Sequence, residues 1–269
     1  MNQKVNHNQF DLENIERLEY LYLMDFYHFL KFVERRMLAG FATKEKIKSD
    51  WISQWDPDEE GKGISSFAVG AERVVYALFN SQGFGQPNSS PVGSDLFFET
   101  EDAFIHIDMK TVQTRNIGDY NTSIFVGNNQ NSYQSEIKDR NDNSFSPKRF
   151  YNPCLPKYYS YNNKVCLTYF LTILYDEDNL DILNINILSM PNGALQEYYG
   201  SSVLKAGKNL DKARFNFSKV DEFKLISGTP KRVKVIYFNE NMEEKFVKKL
   251  DYLRSLHILQ KDSLVTIAR

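Results

Sequence analysis

PVGSDLFFETEDAFIHIDMKT, Pro91 to Thr111, is the stretch on which the fold turns. It reads as two short strands, near Asp95–Glu99 and Ala103–Thr111, joined by a hairpin turn at Thr100–Asp102. Alternation along the second strand sends Ala103, Ile105, Ile107 and Met109 to one face and Phe104, His106, Asp108 and Lys110 to the other. The apolar row marks a strand laid on a core. On the opposite face a carboxylate and an ammonium stand roughly 7 Å apart along the strand, two residue rises. Asp95, on the neighbouring strand, can bring a second carboxylate to the same end.

Upstream of this hairpin, Asp11 to Leu38 reads as one long helix. Leu18, Leu21, Tyr22, Asp25, Phe26, Phe29, Leu30 and Val33 give it a mostly apolar stripe, and Gly40 is its stop. Trp51–Gly63 is a polar connector. A second helix runs from a Ser65 or Ser66 cap to Gln82 and carries Glu72. Gly83–Gly93, rich in Gly, Pro, Asn and Ser, breaks the chain before the hairpin.

Downstream, Ile117–Pro156 has little periodicity and reads as long loops. Val165–Tyr175 and Leu180–Leu188 are strands around a turn at Asp176–Asn179. Ala213–Val220 and Arg232–Phe238 are further strands, and Glu240–Leu256 is a charged amphipathic helix. Helices, then a mixed sheet, then a helix make an α/β or α+β fold in a single domain. Its parts are a helical 1–63, a core of 64–190 and a C-terminal 191–269.

Composition narrows the functional classes. No apolar run reaches the about 20 residues of a membrane span, and MNQKVNHNQF is too polar for a signal peptide. Cys154 and Cys166 make neither a disulfide framework nor a metal-ligand spacing, so a cytoplasmic protein with reduced thiols is expected. Walker A, GxGxxG and GxSxG patterns are absent, and His7, His28, His106 and His257 form no nuclease-like cluster. The net charge of −2 conceals an asymmetry: residues from Ser201 onward carry +7 and the first 200 carry −9. A basic C-terminal third is a candidate phosphate-facing surface, or else a solvated charged face.

Two converging carboxylates offer the hard oxygen donors that Mg²⁺ takes, with Mn²⁺ as a substitute. Such a cation activates water and shields the charge of a phosphodiester under attack, while Lys110 orients that water and stabilises the phosphate. Ser94-Asp95, twelve intervening residues and Asp108-Met109-Lys110 fit the PD-(D/E)XK nuclease pattern. A salt bridge between Asp108 and Lys110 on a solvated strand face is the plain alternative.

Four blocks carry a wider resemblance: FAVGAERVVYALF (Phe67–Phe79), HIDMKTVQTRNIGDYN (His106–Asn121), NILSMPNGAL (Asn186–Leu195) and AGKNLDKARFNFSKV (Ala206–Val220). In this order the chain resembles the branch of type II restriction endonucleases that contains BglI and, more distantly, SfiI. The resemblance implies a restriction-endonuclease-like core with a central mixed sheet flanked by helices, and a homodimer that clamps double-stranded DNA and cuts an interrupted palindrome. It makes Asp95, Asp108 and Lys110 the catalytic set, with Glu72 as a supporting metal ligand. A cognate DNA methyltransferase is expected in the host.

Base reading is expected from the C-terminal third, through Lys208, Asn209, Arg214 and Asn216. In a second register Arg232 and Lys234 do the reading. Cations suit guanine, whereas an asparagine suits adenine. Arg115 is a candidate DNA contact with Asn116, Asp119 and Tyr120. The amides of GNNQNSYQ, Gly127–Gln134, could meet bases or phosphates or form a loop ordered by DNA. His106 shares the catalytic face, to touch a phosphate or simply to pack. A structure-specific nuclease of the same core and a non-catalytic DNA-binding protein are the rival readings.

Overall fold

A computed structural model describes residues 7–43, 45–46, 67–80, 82–88, 93–138, 148–207, 212–220 and 231–267. The predicted Trp51–Gly63 connector, the Ser65 or Ser66 cap, Lys208 and Asn209 lie outside them. In chain order the first elements are α1 (His7–Phe32), α2 (Glu34–Phe41), α3 (Phe67–Phe79), β1 (Gln86–Pro87), β2 (Leu96–Glu99) and β3 (Ala103–Gln113). Three short strands follow: β4 (Ile124–Gly127), β5 (Ser135–Lys138) and β6 (Lys148–Tyr151). Then come β7 (Val165–Tyr175), β8 (Ile182–Met190), α4 (Gln196–Tyr199), β9 (Leu204–Ala206), β10 (Lys212–Phe215) and α5 (Phe217–Val220). β11 (Val233–Phe238), α6 (Glu244–Lys249) and α7 (Asp251–Ile267) complete the described chain.

The hairpin forms as its alternation requires. Leu96 pairs with Ile107, and Thr100 closes the turn by accepting from Ala103 N at 3.1 Å. Six strands make a mixed sheet in the order β1-β2-β3-β7-β8-β11, in which β3 and β7 run parallel and the other neighbours antiparallel. Every residue of β7 and β8 is buried, as expected of central strands covered on both faces.

One face carries Ile105, Ile107 and Tyr169 against α1 and α3. Phe26 meets the Tyr169 ring edge-on at 5.2 Å, and Phe79 stacks near Phe98 at 6.2 Å. The other face is covered by a second sheet, ordered β4-β10-β9, through contacts such as Phe170 with Phe215. Between the sheets the Tyr120 hydroxyl lies 2.9 Å from Asn184 Oδ1 and accepts from Asn186 Nδ2 at 3.0 Å.

Both edges of the large sheet are closed. β1 is two residues long and ends in Pro87, which has no N–H to offer. On β11, Gln260 accepts from Val235 N at 3.0 Å and donates to Val233 O at 3.3 Å. Lys31 adds a bond to Ile236 O at 2.8 Å.

Several local expectations give way. The long first helix breaks at Val33 (φ −95°, ψ 5°), separating α1 from α2. The apparently irregular Ile117–Pro156 contains β4, β5 and β6, each too short to display a period. The strand predicted over Ala213–Val220 ends at Phe215, because Asn216 caps a helical turn, accepting at its carbonyl from Lys219 N at 3.1 Å. The closing helix is two, α6 and α7.

Candidate active site

The candidate catalytic end of β3 is built where β2 falls away from it. Asp95 lies one residue before β2, and extending the Leu96–Ile107 register sets it opposite Asp108. There its backbone N donates to Ile107 O at 3.1 Å, while its Oδ2 accepts from Met109 N at 2.6 Å. The carboxylate thus takes the place of a ladder carbonyl that β2 no longer supplies, which fixes it at the strand end.

Asp108 is 5 % exposed, and the predicted salt bridge with Lys110 forms, but in the interior. Lys110 Nζ meets Asp108 Oδ2 at 2.5 Å; that oxygen is sealed from solvent and receives no aligned hydrogen bond. Burial pushes the Asp108 carboxyl up to about 6 against the pull of Lys110, with Asp95 and Glu72 adding to the rise. Glu72, half-buried on α3, is itself raised by burial and by Asp95. A recess lined by Glu72, Arg73, Tyr76, Asp95, Leu96 and Met109 opens on one side of the strand end. A cleft of about 400 Å³ leaves the other side, along Lys110–Gln113 to Asn116, Asp119, Phe125 and Tyr175. Three acids and one lysine therefore share one locus.

One residue there was not foreseen. Gln130, from the 3-10 turn Asn128–Gln130 after β4, donates Nε2 to Asp108 Oδ1 at 2.7 Å. Its Oε1 accepts from Lys110 Nζ at 2.9 Å and from Gly127 N at 2.8 Å. Within the same amide run Asn131 is structural: it is fully buried, and its Nδ2 donates to Gly127 O and to the Tyr151 hydroxyl, whereas Asn128 and Asn129 are exposed.

His106 packs rather than faces a phosphate. It is 1 % exposed, stacks on Phe97 at 4.4 Å and shares a hydrogen bond with the Tyr159 hydroxyl at 2.7 Å. Burial lowers its pKa to about 4, so it is neutral near neutral pH.

The predicted base readers are dispersed. Arg214 is buried on β10, ion-paired with Asp119 and 4.1 Å above the Phe125 ring, so it borders the cleft through two cleft-lining residues. Asn216 faces no groove. Its Nδ2 donates to Ser202 O at 3.2 Å within a buried turn. Arg232 is a correction to the second register: it is 5 % exposed and pairs with Glu19, 2 % exposed, at 2.6 Å. Its Nε also donates to the Tyr199 hydroxyl at 3.0 Å. A guanidinium held this way is engaged in the interior of the fold. Lys234 is half-buried over the α1 rings of Tyr20 and Tyr27 at 5.7 and 5.9 Å. Arg115 and Asn116, just past the end of β3, are exposed.

Comparison with known proteins agrees with this architecture. The family model described as the N-terminal domain of the type II restriction enzyme MwoI matches residues 11–179, and that of the MwoI central domain matches residues 182–238. The structure of the restriction endonuclease BglI bound to its DNA recognition sequence superposes with a TM-score of 0.56 at 15% identity, covering 86% of this chain and 98% of that one. Tetrameric SfiI bound to cognate DNA gives 0.60 at 14% identity, covering 86% and 87%. No curated protein sequence matches the chain significantly. Among the described residues no helix is long and apolar enough to cross a membrane. With the first family model spanning more than half of its length, the chain belongs to the MwoI family of type II restriction enzymes and is a site-specific DNA endonuclease with a restriction-endonuclease-like fold.

Proposed function

We propose that this enzyme is a Mg²⁺-dependent homodimer that cuts duplex DNA at a short interrupted palindrome, each protomer hydrolysing one strand. The convergence of Asp95, Asp108 and Lys110 on one strand end carries the reading. The donor set fits a divalent cation. Asp108 Oδ2 is a buried oxygen without an aligned hydrogen bond, and two further carboxylates crowd its negative charge. Among the described residues no three His, Cys, Asp or Glu side chains are grouped so as to hold a metal ion together. Mg²⁺ commonly takes one or two carboxylates and completes its shell with water and phosphate. Asp95 and Asp108 would hold it, with Glu72 in support, and Mn²⁺ would substitute. When bound, the cation lowers the pKa of water and shields phosphate charge.

The chain's own groups do the remaining work. Asp108 sets the Lys110 ammonium at the mouth of the cleft, where an N–H donor with capacity for three bonds can orient water and meet a phosphate oxygen. Water adds to phosphorus, the bond to the 3′-oxygen breaks, and the proton passes to that leaving oxygen overall. The products are a 5′-phosphate and a 3′-hydroxyl. Arg115, exposed past the end of β3, would meet the DNA backbone. Arg214 can read a base by exchanging Asp119 for it.

BglI and SfiI, of similar fold, were captured on their DNA sites, and a two-fold arrangement suits a palindrome because identical reading heads meet identical half-sites. A cytoplasmic location and a protecting methyltransferase belong to the same proposal. Digestion of unmethylated phage DNA with Mg²⁺ tests it: discrete fragments should appear and be lost with EDTA and with Lys110→Ala. Intact linear duplex across several divalent metals, with cleavage of branched DNA, would favour a structure-specific nuclease instead.

A further inference from the structure

The turn Asn128–Gln130 touches two limbs of the candidate catalytic locus, the end of β3 and the segment that leads to Asp95. Gln130 grips Asp108 with one end of its carboxamide and Lys110 with the other. Asn129 presses on the limb that delivers Asp95. A Cβ added to Gly93 would lie 1.9 Å from Asn129 O, and Gly93 sits at φ +69°. Only glycine accepts both the conformation and the approach. The turn is in turn tied to the small sheet: Gly127 N donates to Gln130 Oε1, and Gly127 pairs with Lys212 while Phe125 pairs with Arg214.

From this we infer that Gln130 is a positioning residue, which fixes the spacing of Asp108 and Lys110 and links that spacing to the sheet carrying Arg214. A carboxamide suits the task because it offers a donor to the carboxylate and an acceptor to the ammonium at once. A carboxylate could serve only Lys110, and an apolar side chain neither. The inference rests on Asp108 and Lys110 being the cleavage pair.

The test uses full-length Gln130→Met, close in length but unable to make either bond, and Gln130→Glu, which keeps the acceptor for Lys110 and Gly127 N. Phage DNA digestion first maps the cut site, and an oligonucleotide duplex of that sequence is the probe. Single-turnover cleavage at saturating enzyme and equilibrium binding in EDTA are measured, with thermal midpoints reporting folding. Gln130→Met should slow cleavage by about 10- to 100-fold, the range for groups that orient the residues around a metal, with binding within about twofold. Gln130→Glu should fall between it and wild type.

Wild-type cleavage by Gln130→Met, or by Gln130→Glu should the Met variant not fold, would overturn the inference. So would weakened binding with an intact saturated rate, which would make Gln130 a DNA contact. Lys110→Ala, run alongside, separates the two levels: if it cleaves normally, the assignment of the pair is at fault rather than the role of Gln130.

Discussion

Replacing Arg232 with Met should destabilise the enzyme severely and leave its sequence preference alone. The guanidinium is 5 % exposed and holds Glu19, 2 % exposed, at 2.6 Å. Glu19 also accepts from Asn192 N at 2.6 Å, so its carboxylate is pinned where α1 meets the end of β8. Taking away one partner of a buried pair strands the other charge, at a cost of about 3–5 kcal/mol. Against a total stability of roughly 5–15 kcal/mol for a typical domain, that is a large share.

The pH dependence has a definite sign. Burial already raises the Glu19 pKa, while Arg232 holds it down. Without Arg232 the folded state binds the proton more tightly than the unfolded chain, so the deficit should shrink as pH falls from 7 towards 5. Urea unfolding at both pH values measures this, and Glu19→Gln combined with Arg232→Met should recover most of the loss. Wild-type stability in Arg232→Met, together with a changed cleavage pattern, would refute the reasoning and return Arg232 to the DNA surface.

Three further outcomes are expected. Asp108→Ala should abolish cleavage while sparing sequence-specific binding in a gel-shift assay; loss of both would mean that Asp108 also shapes the reading surface. His106, neutral in the fold with its pKa lowered to about 4, should add stability that is complete above pH 6.5 and fades towards pH 4, by about 3 kcal/mol. His106→Phe should flatten that part of the stability–pH curve, and an unchanged slope would assign it to other groups. Gly93→Ala should cost at least 1–3 kcal/mol in urea unfolding through the left-handed backbone alone, and should slow cleavage by displacing Asn129. A fully active, equally stable variant would show that the turn yields easily.

The hairpin that carries the candidate site is legible because everything it needs is local. Alternation and a three-residue turn fix the register, and the register sets Asp95 opposite Asp108. Its partners are not. Gln130 comes from a 3-10 turn after a strand of four residues, too short for a period, and its amide-rich neighbourhood resembles any polar loop. Arg232 looked like an exposed cation on an alternating strand because nothing nearby in sequence reveals Glu19, which sits on the first helix. Asn216 continued an apparent strand face, yet its backbone turns to start a helix. Composition suggested a basic reading surface, whereas Arg232 pairs with the buried Glu19 and Arg214 with the cleft-lining Asp119.

The closed edges of the large sheet govern how copies of this enzyme can meet. With Gln260 and Lys31 occupying the backbone of β11, and Pro87 ending the far side, neither rim accepts a strand from another molecule. Pairing by sheet extension is therefore foreclosed at both rims. In the proposed dimer the subunits would join through surfaces other than these two rims, whose side chains can be remodelled without disturbing the large sheet. A change in the distance between two half-sites could then be accommodated at the subunit contact, while β3 and its cleavage residues stay fixed.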